Sequence, residues 1–156
     1  MTHSILDRLD IIETCTRMAW HADRREWDDL REVFADQVAL DYTSLNGGAP
    51  VILDRDDLVQ AWAGVLGRLT ATSHLVNNHL VSVDGDHAVC TAALQATHLL
   101  ANAHGGQLWT LGGHYRYSLV SAGGSWRING VVMTATWADG NQHVMTLASM
   151  GDVAQR

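Results

Sequence analysis

The chain has 156 residues, 47% of them hydrophobic and 17% charged, which is the size of one ordinary domain able to bury a sizeable core. A formal charge of −7 and ten scattered basic residues exclude the clustered Lys and Arg that a nucleic-acid surface needs. No apolar run approaches the roughly 18 to 20 residues of a membrane helix. The opening MTHSILDRLD lacks the basic and apolar regions of a signal peptide, so a cytoplasmic location without a membrane partner is expected.

The segment from Ile5 to Trp20 places Ile5, Leu9, Ile12, Cys15 or Thr16, and Ala19 on one stripe at helical spacing, which predicts an amphipathic helix ending near His21. Trp27, Leu30, Val33 and Phe34 form the apolar side of a second, short helix. Gln37 to Ser44 reads as a strand and Leu45 to Pro50 as a loop, with Asn46-Gly47-Gly48 supplying the positive φ angles of a turn. Asp54, Asp56 and Asp57 before Leu58, Trp62, Val65 and Leu66 mark a third helix with acids at its positive end.

Beyond residue 71 the character changes to four long strands: Ala71 to Val83, His87 to Leu100, Gln107 to Val120, and Ser125 to Trp137. Asp84-Gly85-Asp86, the loop around His104-Gly105-Gly106, and Ala122-Gly123-Gly124 are hairpin signals between them. Gly112-Gly113, inside a strand with no helix after it, marks a bulge or bend and not a phosphate loop. These elements predict an α+β domain in which three N-terminal helices pack on a strongly bent antiparallel sheet around a cone-shaped cavity. The domain is expected to span 1–145, with 146–156 as a tail that loosens from about His143.

Cys15 and Cys90 fall inside elements without CxxC spacing and read as buried free thiols. Nine histidines invite a metal reading, but HExxH, His-x-His and paired-cysteine spacings are all missing. His74 and His79, five apart in a strand, point to opposite faces, and neither a resident metal nor a cofactor is expected.

Asp23 stands where the first helix gives way to the second. With Glu26 three residues later it has the spacing of an N-cap and capping box, so local chemistry reads it as a cap. His74 shares a strand face with Thr72, Val76 and Asn78, where polar groups need a partner or a ligand, and an imidazole there is either structurally satisfied or a general base. His98 joins that face if the hairpin pairs residues of even sum, 170 or 172; a sum of 171 separates the two histidines. Tyr42 alternates with Asp41, and the cost of an unpaired buried carboxylate assigns Tyr42 inward and Asp41 outward. Trp20, Trp62, Trp126 and Trp137 are candidate walls, Trp62 with Asn78 among the possible substrate contacts.

The stretch from Asp23 through Trp27-Asp28-Asp29-Leu30-Arg31-Glu32-Val33 to Asp41-Tyr42, followed by His74 and His98, resembles the SnoaL-like branch of the NTF2-like superfamily, and within it the scytalone dehydratases. The Asp and His positions are shared with the cofactor-free dehydrochlorinases of that fold. The resemblance implies a general base at His74, an orienting carboxylate at Asp23, a donor at Tyr42 reaching a substrate carbonyl through water, and a second polar contact at His98. It implies a homo-oligomer too, dimer or trimer. The sequence departs from the dehydratase pattern at Ala22, where the family has a second tyrosine, and near Gly112 to Tyr115, where only His114 offers a polar substitute. The dehydrochlorinase arginine is replaced by Val131 or Val132.

The resulting expectation is a cofactor-independent dehydratase or related lyase acting on a small, largely apolar cyclic molecule. A non-catalytic ligand-binding module or complex subunit is the alternative, since fold does not fix function. A steroid-isomerase-like enzyme fits less well, because that family resembles this fold with its base carboxylate at the position of Tyr42.

Overall fold

The computed structural model describes residues 4–102 and 105–150. Helix α1 (Ile5–Arg24) starts from a capping box in which the Ser4 hydroxyl accepts from Asp7 N at 3.2 Å and the Asp7 carboxylate accepts from Ser4 N at 3.2 Å. It runs past its expected end near His21 and stops at Arg25, whose left-handed φ of 59° reverses the chain. The buried row is Ile11, Cys15, Met18 and Ala22, turned away from the expected Ile5–Leu9–Ile12 stripe; Ile5 and Leu9 are 74% and 57% exposed. The rotation follows from two tethers at opposite ends of the helix: Arg8 donates to Val81 O at 2.7 Å, and Asp23 accepts from His74 N at 2.7 Å.

Helix α2 (Trp27–Val33) passes directly into strand β1 (Phe34–Asp41), so Phe34 opens the strand instead of closing the helix. Asp41 accepts from Thr43 N at 3.1 Å and Thr43 Oγ1 at 2.7 Å, which ends β1 earlier than expected and starts the single turn α3 (Thr43–Asn46) with Tyr42 at its N-cap position. Strand β2 (Val51–Asp54), too short to show a periodic signal, pairs antiparallel with β1. Helix α4 (Arg55–Leu66) has Asp56 and Asp57 in its first turn and buries Leu58 and Val59.

Strands β3 (Ala71–Asp84), β4 (His87–Leu99), β5 (Leu108–Ala122) and β6 (Ser125–Gly140) form a meander within a sheet ordered β2-β1-β6-β5-β4-β3. The expected wholly antiparallel sheet is corrected at one place: β6 pairs with β1 in parallel. After three hairpins the fourth strand of the meander arrives beside β1 running the same way. The bend expected at Gly112-Gly113 is present as a register shift against β6. A Cβ on Gly113 would stand 1.9 Å from Thr134 O, and one on Gly112 2.0 Å from the Trp137 ring, so both positions need glycine for close approach.

A second bulge decides which face carries the histidines. Near the β3–β4 turn, Asp84 pairs with His87 and Leu80 with Thr91, an odd register that would separate His74 from His98. Asn78, with φ 57°, inserts one extra residue, after which Asn77 pairs with Ala93 and Thr72 with His98, and the register is even. The same insertion corrects two expectations. His79 shares the inward side of β3 with His74, and Asn78 lies exposed in the bulge, away from any candidate substrate contact.

The C-terminal segment does not loosen at His143. Helix α5 (His143–Ser149) buries Val144 and Ala148, and Arg68 donates to Ala148 O at 3.3 Å. Of the expected tail, 151–156 lie outside the described residues, as does His104 of the second hairpin. Cys15 and Cys90 are buried and free. No described helix is long and apolar enough to cross a membrane.

The bulge yields a stability prediction. Asn78→Gly keeps the positive φ and should change unfolding free energy by less than about 0.5 kcal/mol, whereas Asn78→Val should lose about 1–2 kcal/mol. Urea denaturation measures both; equal stabilities would contradict the role assigned to the left-handed residue.

Candidate active site

Between α1, α4, α5 and the concave face of the sheet lies a cavity of about 320 Å³. That is the lower end of the range typical of small-molecule sites. Its walls are largely apolar, with Met18, Ala22, Trp62, Leu94, Leu111 and Met133 among them. The polar groups that line it are His74, His98, Tyr42 and Tyr115, with Asn46 and Gln142 beside them.

Asp23 is no helix cap. It sits in the last turn of α1, where the negative end of the helix dipole disfavours a carboxylate. Three donors from β3 hold it there: Thr72 Oγ1 to Oδ1 at 2.8 Å, His74 N to Oδ2 at 2.7 Å, and His74 Nδ1 to Oδ1 at 2.6 Å. The two side chains are only 20% and 13% exposed. Burial pushes the Asp23 carboxyl up, but the bonds and charge from His74, together with Thr72, outweigh it and hold the group below the usual carboxylate range. An ionised Asp23 fixes the proton of neutral His74 on Nδ1. Nε2 then carries a bare lone pair, with no partner among the described residues, on a ring that lines the cavity.

His98, 3% exposed, lies on the same face, its ring edge-on to His74 with centroids 5.6 Å apart. Its Nδ1 bonds to Trp109 O at 3.2 Å, and a carbonyl can only accept, so this nitrogen carries the proton. Burial, reinforced by the neighbouring His74, lowers its pKa from 6.5 to about 4, so His98 is neutral at physiological pH. Tyr42 lines the cavity with its ring 6.3 Å from Trp62, and Asp41 turns to Thr43, so that pair is arranged as expected.

His114 is not at the site. It is exposed on the outer side of β5, and its neighbour Tyr115, which sequence reasoning missed, faces the cavity instead. Strand parity carried the missing signal, since Tyr115 continues the inward row of Trp109 and Leu111. Of the four tryptophans considered, only Trp62 lines the cavity. Trp20 is exposed, Trp137 covers Gly112, and Trp126 donates from its indole to Asp7 at 3.2 Å.

Among the described residues, one group, His21, Glu26 and Asp29, has ligand atoms close enough to hold a metal, within 4.8 Å of one another. It lies outside the cavity lining, and Glu26 is already bonded to His21 at 2.8 Å and Arg24 at 2.6 Å.

The SnoaL-like domain profile matches residues 3–132 of this chain. No curated protein sequence matches it. The solved structure of Kfla4162 from Kribbella flavida is 32% identical, covers 90% of this chain and 97% of its own, and superposes with a TM-score of 0.86. A protein of Novosphingobium aromaticivorans provisionally assigned as a scytalone dehydratase is similar at 19% identity, 88% and 89% coverage and a TM-score of 0.75. Hexachlorocyclohexane dehydrochlorinase LinA type 3 from Novosphingobium barchaimii is similar at 14% identity, 88% and 92% coverage and a TM-score of 0.74. At those identities the last two show a shared fold.

The lowered pKa of His98 makes stability depend on pH. Between about 4 and 6.5 the native state binds fewer protons than the unfolded chain, so the stability this group contributes is complete above pH 6.5 and is lost as the pH falls towards 4. The loss should be on the order of 3 kcal/mol. Asp23, also lowered, adds a loss only below its ordinary value of 3.8. Melting temperature should therefore fall between pH 6.5 and 4.5 in the native protein, and less steeply in His98→Asn. Equal slopes would contradict the buried neutral imidazole.

Proposed function

We propose that this chain, which belongs to the SnoaL-like domain family, is a cofactor-independent lyase of the dehydratase type acting on a small, largely apolar cyclic molecule. One observation carries the reading: the Asp23 carboxylate holds the Nδ1 proton of His74 at 2.6 Å and leaves Nε2 as a base in an apolar cavity.

In the proposed reaction Nε2 takes a proton from a carbon next to a carbonyl group. The C–H electron pair becomes a carbon–carbon double bond as the neighbouring carbon–oxygen bond breaks. Asp23 stabilises the imidazolium formed in between, and that imidazolium returns the same proton to the departing hydroxyl, releasing water and regenerating the base. The step consumes no oxidant, reductant or metal. The low exposure of the Asp23 and His74 side chains strengthens the electrostatic contact between them.

The absence of tyrosine at residue 22 supports a substrate other than scytalone. Ala22 lines the cavity, and its small side chain leaves apolar space where a phenol would stand. Phenolic, polyketide and steroid-like compounds screened by thermal shift supply candidates, because a ligand that binds only the native state raises the melting temperature by mass action.

With a substrate so identified, His74→Ala should lower kcat/KM by about 10² to 10⁴. Asp23→Asn should cost a similar factor, because an amide donating to Nδ1 forces the proton onto Nε2 and removes the base. Circular dichroism should show both variants folded. Near-normal turnover in both would refute the lyase reading.

A further inference from the structure

We infer that His21, Glu26 and Asp29 form a site for a zinc-like divalent cation at the junction of α1 and α2, apart from the cavity and from any elimination carried out there. One ring nitrogen of His21, one carboxylate oxygen of Glu26 and one of Asp29 lie within 4.8 Å of one another. None of the three residues lines the cavity.

The way α1 ends brings them together. With Arg25 left-handed at φ 59°, Glu26 N donates to His21 O at 2.9 Å and Arg25 N to Ala22 O at 3.2 Å, the two bonds of a Schellman motif. His21 and Glu26, five apart in the chain, thereby become neighbours, with His21 Nδ1 2.8 Å from Glu26 Oε2. Leu30 N then donates to Glu26 O at 2.9 Å, which opens α2 and sets Asp29 about one turn beyond Glu26. The three meet through a backbone reversal, so the regular spacing of a helix or strand does not announce them.

Two features separate this group from ordinary surface acids. Glu26 occupies the N-cap position of α2 but makes no side-chain cap bond there; its carboxylate turns back to His21. Asp29 has no bonding partner among the described residues, whereas the nearby Asp28 and Asp56 share Arg31. One carboxylate is therefore held beside the imidazole, and a second stands near it uncommitted.

The donor set selects the cation. One imidazole and two carboxylates suit Zn²⁺ and its first-row neighbours, whereas Ca²⁺ and Mg²⁺ take shells of oxygen. Ligands about 2.0 to 2.1 Å from a tetrahedral zinc stand roughly 3.3 Å from one another, a spacing the group reaches when the exposed Asp29 side chain turns towards the other two. The cation takes the place of the proton between Nδ1 and Oε2, and in the neutral ring that proton passes to Nε2. Oε1 of Glu26 keeps its bond from Arg24 Nε at 2.6 Å, which orients the carboxylate from outside the shell. His21 is in the last turn of α1, at the negative end of that helix's dipole, which favours a cation. A second pocket, lined by His21 and Asp29 together with Asp10, Arg17, Glu32 and Arg127, provides a way in and room for a water ligand. A cation so held fastens the end of α1 to the start of α2 and stabilises the native chain.

Zinc titration of the tag-free protein by isothermal calorimetry, with the melting temperature read in parallel, tests the site without any turnover. The native protein should bind one Zn²⁺ per chain and melt at a higher temperature in its presence, and an equal concentration of Mg²⁺ should do neither. His21→Ala and Asp29→Asn should each weaken zinc binding about tenfold or more. His74→Ala and His87→Ala, which remove the cavity imidazole and the exposed pair with Asp86, should bind zinc as the native protein does. Asp29 is exposed, so its amide variant keeps the fold and decides the matter even where His21→Ala does not fold. Absence of zinc binding, native-like binding in Asp29→Asn, or binding lost in His74→Ala or His87→Ala would overturn the assignment.

Discussion

The Asp23 carboxylate joins the last turn of α1 to β3 through three hydrogen bonds, and the geometry of the cavity depends on that junction. The bond from His74 N sets how closely the helix lies on the strand. The bond from His74 Nδ1 sets the tautomer and the ring's direction, and Thr72 takes up remaining capacity of the same oxygen. A carboxylate at a helix C-terminus is unfavourable by a few tenths to about 1 kcal/mol. The three donors outweigh that, since hydrogen bonds to a charged group are among the stronger ones. Immediately after it, Arg25 reverses the chain, and its guanidinium donates to Leu66 O and Leu69 O, fixing the end of α1 against the end of α4. Both β3 and the end of α4 are thereby tied to the end of α1, through Asp23 and Arg25.

What the junction does for one histidine, the sheet does for the rest of the site. The bulge at Asn78 converts an odd register into an even one and so brings His98 to within 5.6 Å of His74, ring to ring. The bulge in β6, where Thr136 is the extra residue, lies opposite Gly112 and Gly113, whose missing side chains permit the close approach of Trp137 and Thr134. Each device adds or removes a single residue, and each changes which side chains meet. The polar lining that results is small: the imidazoles of His74 and His98, the phenols of Tyr42 and Tyr115, and the amides of Asn46 and Gln142, set among apolar side chains.

Much of this was legible in the residues. Long β-like runs with Gly-containing separators located all four strands of the meander to within a few residues, and the resemblance singled out Asp23 and His74, whose side chains are hydrogen-bonded to each other. The rest was hidden for identifiable reasons. A helix-cap spacing and a helix-end carboxylate look alike until the end of α1 is known. A bulge leaves no periodic trace, so Asn78 was placed inward, and His79 outward, by simple alternation. His114 drew attention because histidine is chemically versatile, although parity favoured Tyr115. The parallel pairing of β1 with β6 joins residues far apart in the chain, which local pattern does not encode.

The central claim is that the Asp23 carboxylate leaves Nε2 of His74 free to take a proton. Nitrogen-15 NMR of histidine-labelled protein at neutral pH tests it most directly, since protonated and bare ring nitrogens resonate far apart. Neutral His74 should show a protonated Nδ1, with its proton shifted downfield by the 2.6 Å contact, and a bare Nε2. A neutral ring protonated on Nε2 would contradict the account, because no base would then face the cavity.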